Sequence, residues 1–184
     1  MKTIIVELAA SESAEYRHNS QTGVNARFAL SSPGGAITLS YYMRYIAVDE
    51  RPITLDDVRR AFAMEEEDYA IDGKGIEANV TLDGRMIAQV TINIPGDGLF
   101  DHERAELLGS ADDGEGAGKA SVLETLGIAR TILAVQVLFG DADPEETLDA
   151  LDPLWGWLQD NRRGLLQADG EGYYDTNGLI LELD

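Results

Sequence analysis

Two runs of alternating apolar and polar residues, joined by a turn cluster, most constrain what this chain can fold into. The apolar positions are Val24, Ala26, Phe28 and Leu30 in the first run and Ile37, Leu39, Tyr41, Met43 and Tyr45 in the second. Alternation of this kind is typical of strands that are buried on one face. If residues 32–35 (SPGG) form the loop, Leu30 opposes Ile37, and apolar side chains meet along the whole hairpin. We therefore predict an antiparallel sheet.

A second hairpin is expected around Asp83 and Gly84. A two-residue loop would place the apolar residues of its two strands on opposite faces of the sheet. A three-residue loop, 82–84, opposes Val80 with Met86 and Ala78 with Ala88, and it places Gly84 at a left-handed position. It also opposes Ile76 with Val90. We predict the three-residue loop.

Helix signals occur at two further places. Thr54 can cap a helix whose first turn carries Asp56 and Asp57, and Asp143-Pro144-Glu145-Glu146 combines a cap, a proline and acidic residues. The second helix carries an apolar stripe of Leu148, Leu151, Trp155 and Leu158. Pro153 should kink or split it near Asp152. Arg162 and Arg163 lie near its predicted end, and Gly164 is placed to terminate it. Residues 99–108 predict a shorter helix.

Three other segments complete the prediction. Residues 120–139 are apolar on most sides and favour a helix through the core, although 131–139 alone fit a buried strand. Residues 109–118 (GSADDGEGAG) are expected to form a flexible acidic loop. A hairpin is predicted from 172–175 and 179–183 around the turn 176–178, with its register open.

These elements indicate one α+β domain over residues 1–184. The predicted architecture is an antiparallel sheet of about five to seven strands built from hairpins, with the C-terminal helices packed on one face. The segment 120–139 contains Glu124, Arg130 and Gln136, which are too many polar groups for a bilayer span. The sequence therefore predicts a soluble, cytoplasmic protein.

The charge of the chain suggests the class of its partner. Asp and Glu number 34 against 14 Lys and Arg, a formal net charge of −20. Such a surface repels nucleic acid and anionic lipid and attracts basic proteins. Genome composition or growth in high salt would also explain the acidity. The oligomeric state stays open.

No sequence motif predicts a cofactor, a metal or a catalytic residue. The chain has no cysteine, and the segment 114–119 (GEGAGK) lacks the Ser or Thr of a phosphate loop. Asp141, Asp143 and Glu145 fit a helix cap better than a calcium loop. His102 with Glu106, and Asp169 with Glu171 and Asp175, are expected to be solvated surface groups.

The favoured hypothesis is a non-enzymatic protein that engages a basic partner protein, as an inhibitor or immunity-type protein would. The predicted partner-binding residues are Tyr42, Glu65, Glu66, Glu67, Asp68, Asp112, Asp113, Glu115, Trp157 and Tyr173. The first alternative is an enzyme or small-molecule-binding protein with a cleft between the sheet and the C-terminal helices, near His102, Asp169, Glu171 and Tyr173. The second is a structural subunit of a homo-oligomer.

Overall fold

The structure is a computed structural model that describes residues 40–63, 65 and 67–183. Its strands are β1 (Ser40–Ala47), β2 (Tyr69–Lys74), β3 (Glu77–Leu82), β4 (Arg85–Asn93), β5 (Thr131–Leu138), β6 (Gly164–Ala168), β7 (Gly172–Asp175) and β8 (Gly178–Glu182). Its helices are α1 (Leu55–Phe62), α2 (Leu99–Asp113), α3 (Lys119–Ile128), α4 (Pro144–Asp149) and α5 (Asp152–Asn161). The predicted strand at 24–30 and its loop at 32–35 lie outside the described residues.

The eight described strands form a single antiparallel sheet in the order β2-β3-β4-β5-β1-β6-β7-β8. The α+β class and the antiparallel sheet are thereby confirmed. The number of strands exceeds the predicted five to seven, because neither β2 nor β6 was predicted. Both are short and neither shows a long apolar alternation, so their signal in the sequence is weak.

The predicted register of the β3–β4 hairpin is wrong. Asp83 and Gly84 form a two-residue loop with φ values of 51° and 76°, as a type I′ turn requires, and Leu82 pairs with Arg85. The register then shifts between Thr81 and Val80, which pair with Met86 and Ala88. Ile87 is thus the extra residue of a β-bulge, and Ile87 and Ala88 are both buried. The extra residue that the apolar pattern requires therefore lies within β4 rather than in the loop.

Residues 120–139 form a helix followed by a strand, so the prediction of one continuous helix is wrong and the strand alternative is right. α3 ends at Ile128, and β5 then pairs with β1 on one side and β4 on the other. A central strand that is covered on both faces needs few polar residues. This explains why the sequence of β5 resembles a buried helix.

The core is divided by the sheet into two hydrophobic clusters. Tyr41, Tyr45 and Ala47 belong to the first cluster, while Ile46 between them belongs to the second. Buried side chains of α1 and α5 join the first cluster, and those of α2 and α3 join the second. Successive strand residues point to opposite faces. The two faces of β1 therefore contribute to different cores.

The predicted start of α1 is confirmed and is tied to the end of α5. Thr54 and Asp57 form a reciprocal capping box, in which the Asp57 carboxylate accepts from the Thr54 backbone N–H. The same carboxylate, fully buried, accepts a 2.6 Å hydrogen bond from the Arg162 guanidinium. Tyr45 of β1 makes a second contact with Arg162, because its hydroxyl donates a 2.9 Å hydrogen bond to the Arg162 carbonyl. These contacts fix α5 relative to α1 and β1.

The junction between α4 and α5 follows the sequence prediction. Asp143 caps α4 through the Glu145 N–H at 2.8 Å, and Pro153 lies in the first turn of a separate helix, α5. The expected role of Gly164 as a helix terminator is wrong, because Gly164 opens β6. A Cβ atom at this position would lie 2.2 Å from the carbonyl oxygen of Ile46. Only glycine fits there, because β6 lies this close to the backbone of β1.

The expected loop at 109–118 is shorter than predicted. α2 continues to Asp113, and Ala111 within that extension is fully buried. Only 114–118 connect α2 to α3, and Gly118 donates its backbone N–H to the Ile180 carbonyl of β8 at 3.1 Å. Among the described residues, no helix has the length and apolar character needed to cross a membrane.

Candidate functional site

Three of the predicted partner-binding acids lie together immediately before the edge strand β2. Glu65, Glu67 and Asp68 are exposed, and Glu66 is outside the described residues. Tyr69, the next residue, donates its hydroxyl to the carbonyl of Ala150 at 3.0 Å. This contact places the start of β2 against the junction of α4 and α5, so segments that are distant in sequence share one surface.

The electrostatic surroundings of Tyr69 show which acids share that surface. Burial raises the pKa of the Tyr69 hydroxyl, and the negative charges of Glu67, Glu65, Asp83 and Asp152 raise it further. Asp68 is held beside Asp83, whose backbone N–H it accepts at 3.0 Å. Burial, followed by the charge of Asp149, raises the pKa of Asp152. We call this group the acidic surface; its members are Glu65, Glu67, Asp68, Asp83, Asp149 and Asp152.

Arg85 is the cation that the hairpin turn brings near this surface. Its guanidinium lies 3.4 Å from the Thr147 hydroxyl oxygen and 3.5 Å from the Phe139 carbonyl oxygen. Arg85 therefore points toward α4. The net charge of the surface stays strongly negative.

A cavity of about 470 Å³ opens beside the acidic surface, between the sheet and the helices α4 and α5. Its walls combine aromatic rings with carboxylates: Tyr41, Trp155, Tyr174, Asp149, Asp152 and Glu171. Among the described residues, no Lys, Arg or His lines the cavity. Asp149 and Asp152 belong to both features, so the acidic surface continues into the rim of the cavity.

Glu171 is held in the cavity wall by two tyrosines. Its Oε1 accepts the Tyr41 hydroxyl at 2.7 Å and its Oε2 accepts the Tyr174 hydroxyl at 2.6 Å. Burial, and then the charge of Glu171, raises the pKa of Tyr41. Burial, and then the hydrogen bond to Glu171, raises that of Tyr174. Both phenols therefore stay neutral donors at neutral pH, and they orient the side chain of Glu171.

Comparison with known proteins assigns this chain to no family. No family model, no curated protein and no solved structure matches the chain. The fold by itself does not determine a function, which depends on the chemistry of the site.

The other predicted acids lie at the opposite edge of the sheet. Asp112 and Asp113 are exposed at the end of α2, and Glu115 pairs with Glu182 of the edge strand β8. Eight strands spaced by about 4.8 Å put the two edges on the order of 30 Å apart. The structure therefore does not bring Asp112, Asp113 and Glu115 together with Glu65, Glu67 and Asp68.

The three aromatic residues that were predicted to contact a partner also lie in different parts of the structure. Tyr173 is fully buried and donates its hydroxyl to the Leu107 carbonyl at 3.0 Å, so its prediction as a contact residue is wrong. Its alternating neighbour Tyr174 faces the cavity instead. Trp157 is half-buried against the first core cluster. Tyr42 is half-buried, with the guanidinium of Arg44 5.3 Å from its ring centroid, and it points away from the Tyr41 side of the sheet.

Of the four residues expected to form an enzyme cleft, only Glu171 lines the cavity. Asp169 pairs with Arg44 at 2.5 Å, and Arg44 also binds Glu103 of α2 at 2.7 Å. His102 is exposed on α2, 3.4 Å from Glu106. In the described part of the chain, no three His, Asp or Glu side chains converge as a metal site would require.

Sequence reasoning missed Tyr69, Asp83, Asp149 and Asp152. Asp83 was assigned to a turn and Asp152 to a helix break, and both assignments are correct. Their common location depends on the sheet order and on the contact between Tyr69 and Ala150. The prolines and turn residues around them gave no signal for that contact, because it joins positions 81 residues apart.

Proposed function

We propose that this chain is a non-enzymatic acidic protein that binds a basic partner protein through the acidic surface. The observation that carries the proposal is the convergence of acids from three parts of the chain around Tyr69: Glu65, Glu67 and Asp68 before β2, Asp83 in the hairpin turn, and Asp152 at the α4–α5 junction. Exposed like charges repel one another and lower the stability of the fold. A basic partner would relieve that repulsion on binding.

The mode of action fits an inhibitor or immunity-type protein. Carboxylates presented beside a sheet edge and at a helix junction would occupy positions where a basic nuclease or toxin binds phosphate. Complementary charge speeds encounter and makes it sensitive to salt. Binding by this route would block the partner sterically, without any chemical step in this chain.

The proposal is tested by capturing basic proteins from host lysate on three immobilised forms of the chain. The first is the wild type. The second, the surface variant, carries Glu65→Gln, Glu67→Gln and Asp68→Asn. The third, a control variant with the same charge change, carries Asp101→Asn, Glu106→Gln and Glu124→Gln on α2 and α3. All three control positions are exposed.

One basic protein should be retained by the wild type and the control variant, released by salt, and lost from the surface variant. Equal capture by all three forms would show that the acidic surface is not the interface. Removing three surface charges should weaken binding by about tenfold or more.

A small-molecule binder is the second candidate, and the cavity favours it. Ligand pockets are typically ~300–1,000 Å³, and this cavity, which is open to solvent, has a volume of about 470 Å³ within that range. A small-molecule binder would bind its ligand equally well when Glu65, Glu67 and Asp68 are neutralised, which distinguishes it from the first candidate.

A further inference from the structure

We propose that the cavity receives the guanidinium group of an arginine side chain presented by the basic partner. This inference rests on the proposed function and names the chemistry of its central contact. The cavity lies next to the acidic surface, and it is lined by carboxylates and aromatic rings with no cationic residue among those described. Charge complementarity therefore identifies the occupant as a cation with an apolar stem.

Glu171 supplies the directional part of the site. Each carboxylate oxygen can accept two hydrogen bonds, and Tyr41 and Tyr174 use one site on each oxygen. One acceptor position per oxygen is left for a ligand. Two parallel N–H donors match this arrangement, and a planar guanidinium provides them, whereas an ammonium group does not.

The aromatic walls favour the same group. Tyr41, Trp155 and Tyr174 line the cavity, and Tyr174, which is half-buried, offers the most accessible ring, because Tyr41 and Trp155 are almost completely buried. Cations are attracted to aromatic faces, and arginine also stacks on them because its guanidinium is flat and weakly hydrated. Trp155 is 5% exposed, so its ring is held in place by the first core cluster rather than by a ligand. A preorganised wall of this kind costs little entropy on binding.

Asp149 and Asp152 connect the cavity to the acidic surface. Both line the cavity, and the charge of Asp152 also acts on Tyr69. An arginine that enters between them would be flanked by negative charge at the rim and by Glu171 inside. Basic residues next to that arginine in the partner would then lie over Glu65, Glu67 and Asp68.

The test is an NMR titration of the full chain with Nα-acetyl-arginine N-methylamide, observed through the two tryptophan indole N–H signals. Trp157→Phe assigns the signal of Trp155, because the chain has two tryptophans. We expect saturable shifts centred on Trp155, with a dissociation constant of about 1 mM. The citrulline analogue has the same shape without the charge, and it should bind at least tenfold more weakly; the lysine analogue should also bind more weakly.

Two variants locate the site. Glu171→Gln should weaken binding of the arginine probe about tenfold, because charge-assisted bidentate hydrogen bonds are lost. Glu124→Gln, an exposed acid on α3, should leave it unchanged. Equal affinity for the arginine and citrulline probes, no saturable shift at Trp155, or an unaltered affinity in Glu171→Gln would each overturn the proposal.

Titration with a peptide that carries an arginine between lysines distinguishes a protein ligand from a free small cation. The peptide should bind more tightly than the single-residue probe, and the surface variant should lose that gain; no gain would indicate a free cation and overturn the protein assignment. If the probe fails while partner capture still depends on Glu65, Glu67 and Asp68, the cavity proposal falls and the proposed function stands. If the probe binds but capture does not depend on those acids, the proposed function falls.

Discussion

The hydroxyl of Tyr69 donates a 3.0 Å hydrogen bond to the carbonyl of Ala150, which joins the edge strand β2 to the junction of α4 and α5. The phenol ring stacks on Phe62 with centroids 4.6 Å apart, so the tyrosine is also anchored to α1. One side chain thus joins the start of β2, which follows Glu65, Glu67 and Asp68, to α1 and to the α4–α5 junction.

Tyr69→Phe should keep the ring packing and lose the hydrogen bond to Ala150. We expect a loss of about 1 kcal/mol in the free energy of unfolding, measured by urea denaturation. Tyr42→Phe is the matched control, because the Tyr42 hydroxyl makes no hydrogen bond to another described residue. A Tyr69→Phe protein as stable as the control would show that the contact to Ala150 does not contribute.

Two glycines in different backbone environments, Gly84 in the hairpin turn and Gly109 in α2, should respond in opposite ways to substitution. Gly84 has a φ of 76°, and a β-branched side chain resists this conformation, so Gly84→Val should destabilise the fold by about 1–2 kcal/mol. Gly109 lies inside α2, and a Cβ there would meet no atom within 4 Å. Gly109→Ala should therefore stabilise the protein by about 0.5–1 kcal/mol. Thermal unfolding of both variants checks the pair, and equal melting temperatures would contradict the turn geometry.

The buried pair of Asp57 and Arg162 predicts how stability depends on pH. Burial alone would raise the pKa of Asp57, but hydrogen bonds from Arg162 and Thr54 outweigh it and lower the pKa below its ordinary value of 3.8. The folded state therefore binds this proton less readily than the unfolded state. The resulting stabilisation is fully present above about pH 4 and is lost as the pH falls through the lowered pKa.

Asp57→Asn tests that linkage. At pH 7 the variant should be less stable than the wild type by about 3 kcal/mol, because the buried Arg162 loses its counter-ion. The difference should shrink as the pH falls below 3.8 and through the lowered pKa of Asp57, because the wild-type carboxylate then becomes protonated. Chemical denaturation at pH 7 and at a series of acidic pH values measures it. A difference that stays constant with pH would contradict the ionised pair.

Partner binding should also depend on pH through Asp152. Burial and the charge of Asp149 raise its pKa, so Asp152 takes up a proton at a higher pH than an ordinary aspartate does. As the pH falls from 7, an early part of the decline in affinity for the basic partner should come from Asp152, because it loses its charge at a higher pH than an ordinary aspartate does. Asp152→Asn should bind more weakly at pH 7 and should lack that early decline, whereas Asp101→Asn should behave as the wild type. Superimposable pH profiles for all three proteins would exclude Asp152 from the interface.

Local signals in the sequence predicted local structure well. Thr54 with Asp57, Asp143 with Pro144, and Pro153 each mark a helix boundary through a capping hydrogen bond or a missing N–H, and each boundary is confirmed. Such signals act over a few residues and need no knowledge of the tertiary fold.

Features that depend on the whole sheet could not be predicted in this way. The apolar pattern required an extra residue in the β3–β4 hairpin, and Asp83-Gly84 is a local signal for a two-residue type I′ loop, but nothing local placed the bulge at Ile87. Tyr173 and Tyr174 necessarily point to opposite faces, and the sequence did not show which of them would be buried. The shared surface of Glu65, Asp83 and Asp152 depends on strand order, which alternation does not encode.

The most direct test of the account is the salt dependence of the association rate with the captured basic partner. The rate should fall steeply with ionic strength for the wild type and for the control variant Asp101→Asn, Glu106→Gln, Glu124→Gln, because both keep the acidic surface. The variant Glu65→Gln, Glu67→Gln, Asp68→Asn should associate more slowly at low salt and show a much shallower dependence. The same slope for all three proteins would mean that the net charge, rather than the surface around Tyr69, attracts the partner, and it would contradict the account.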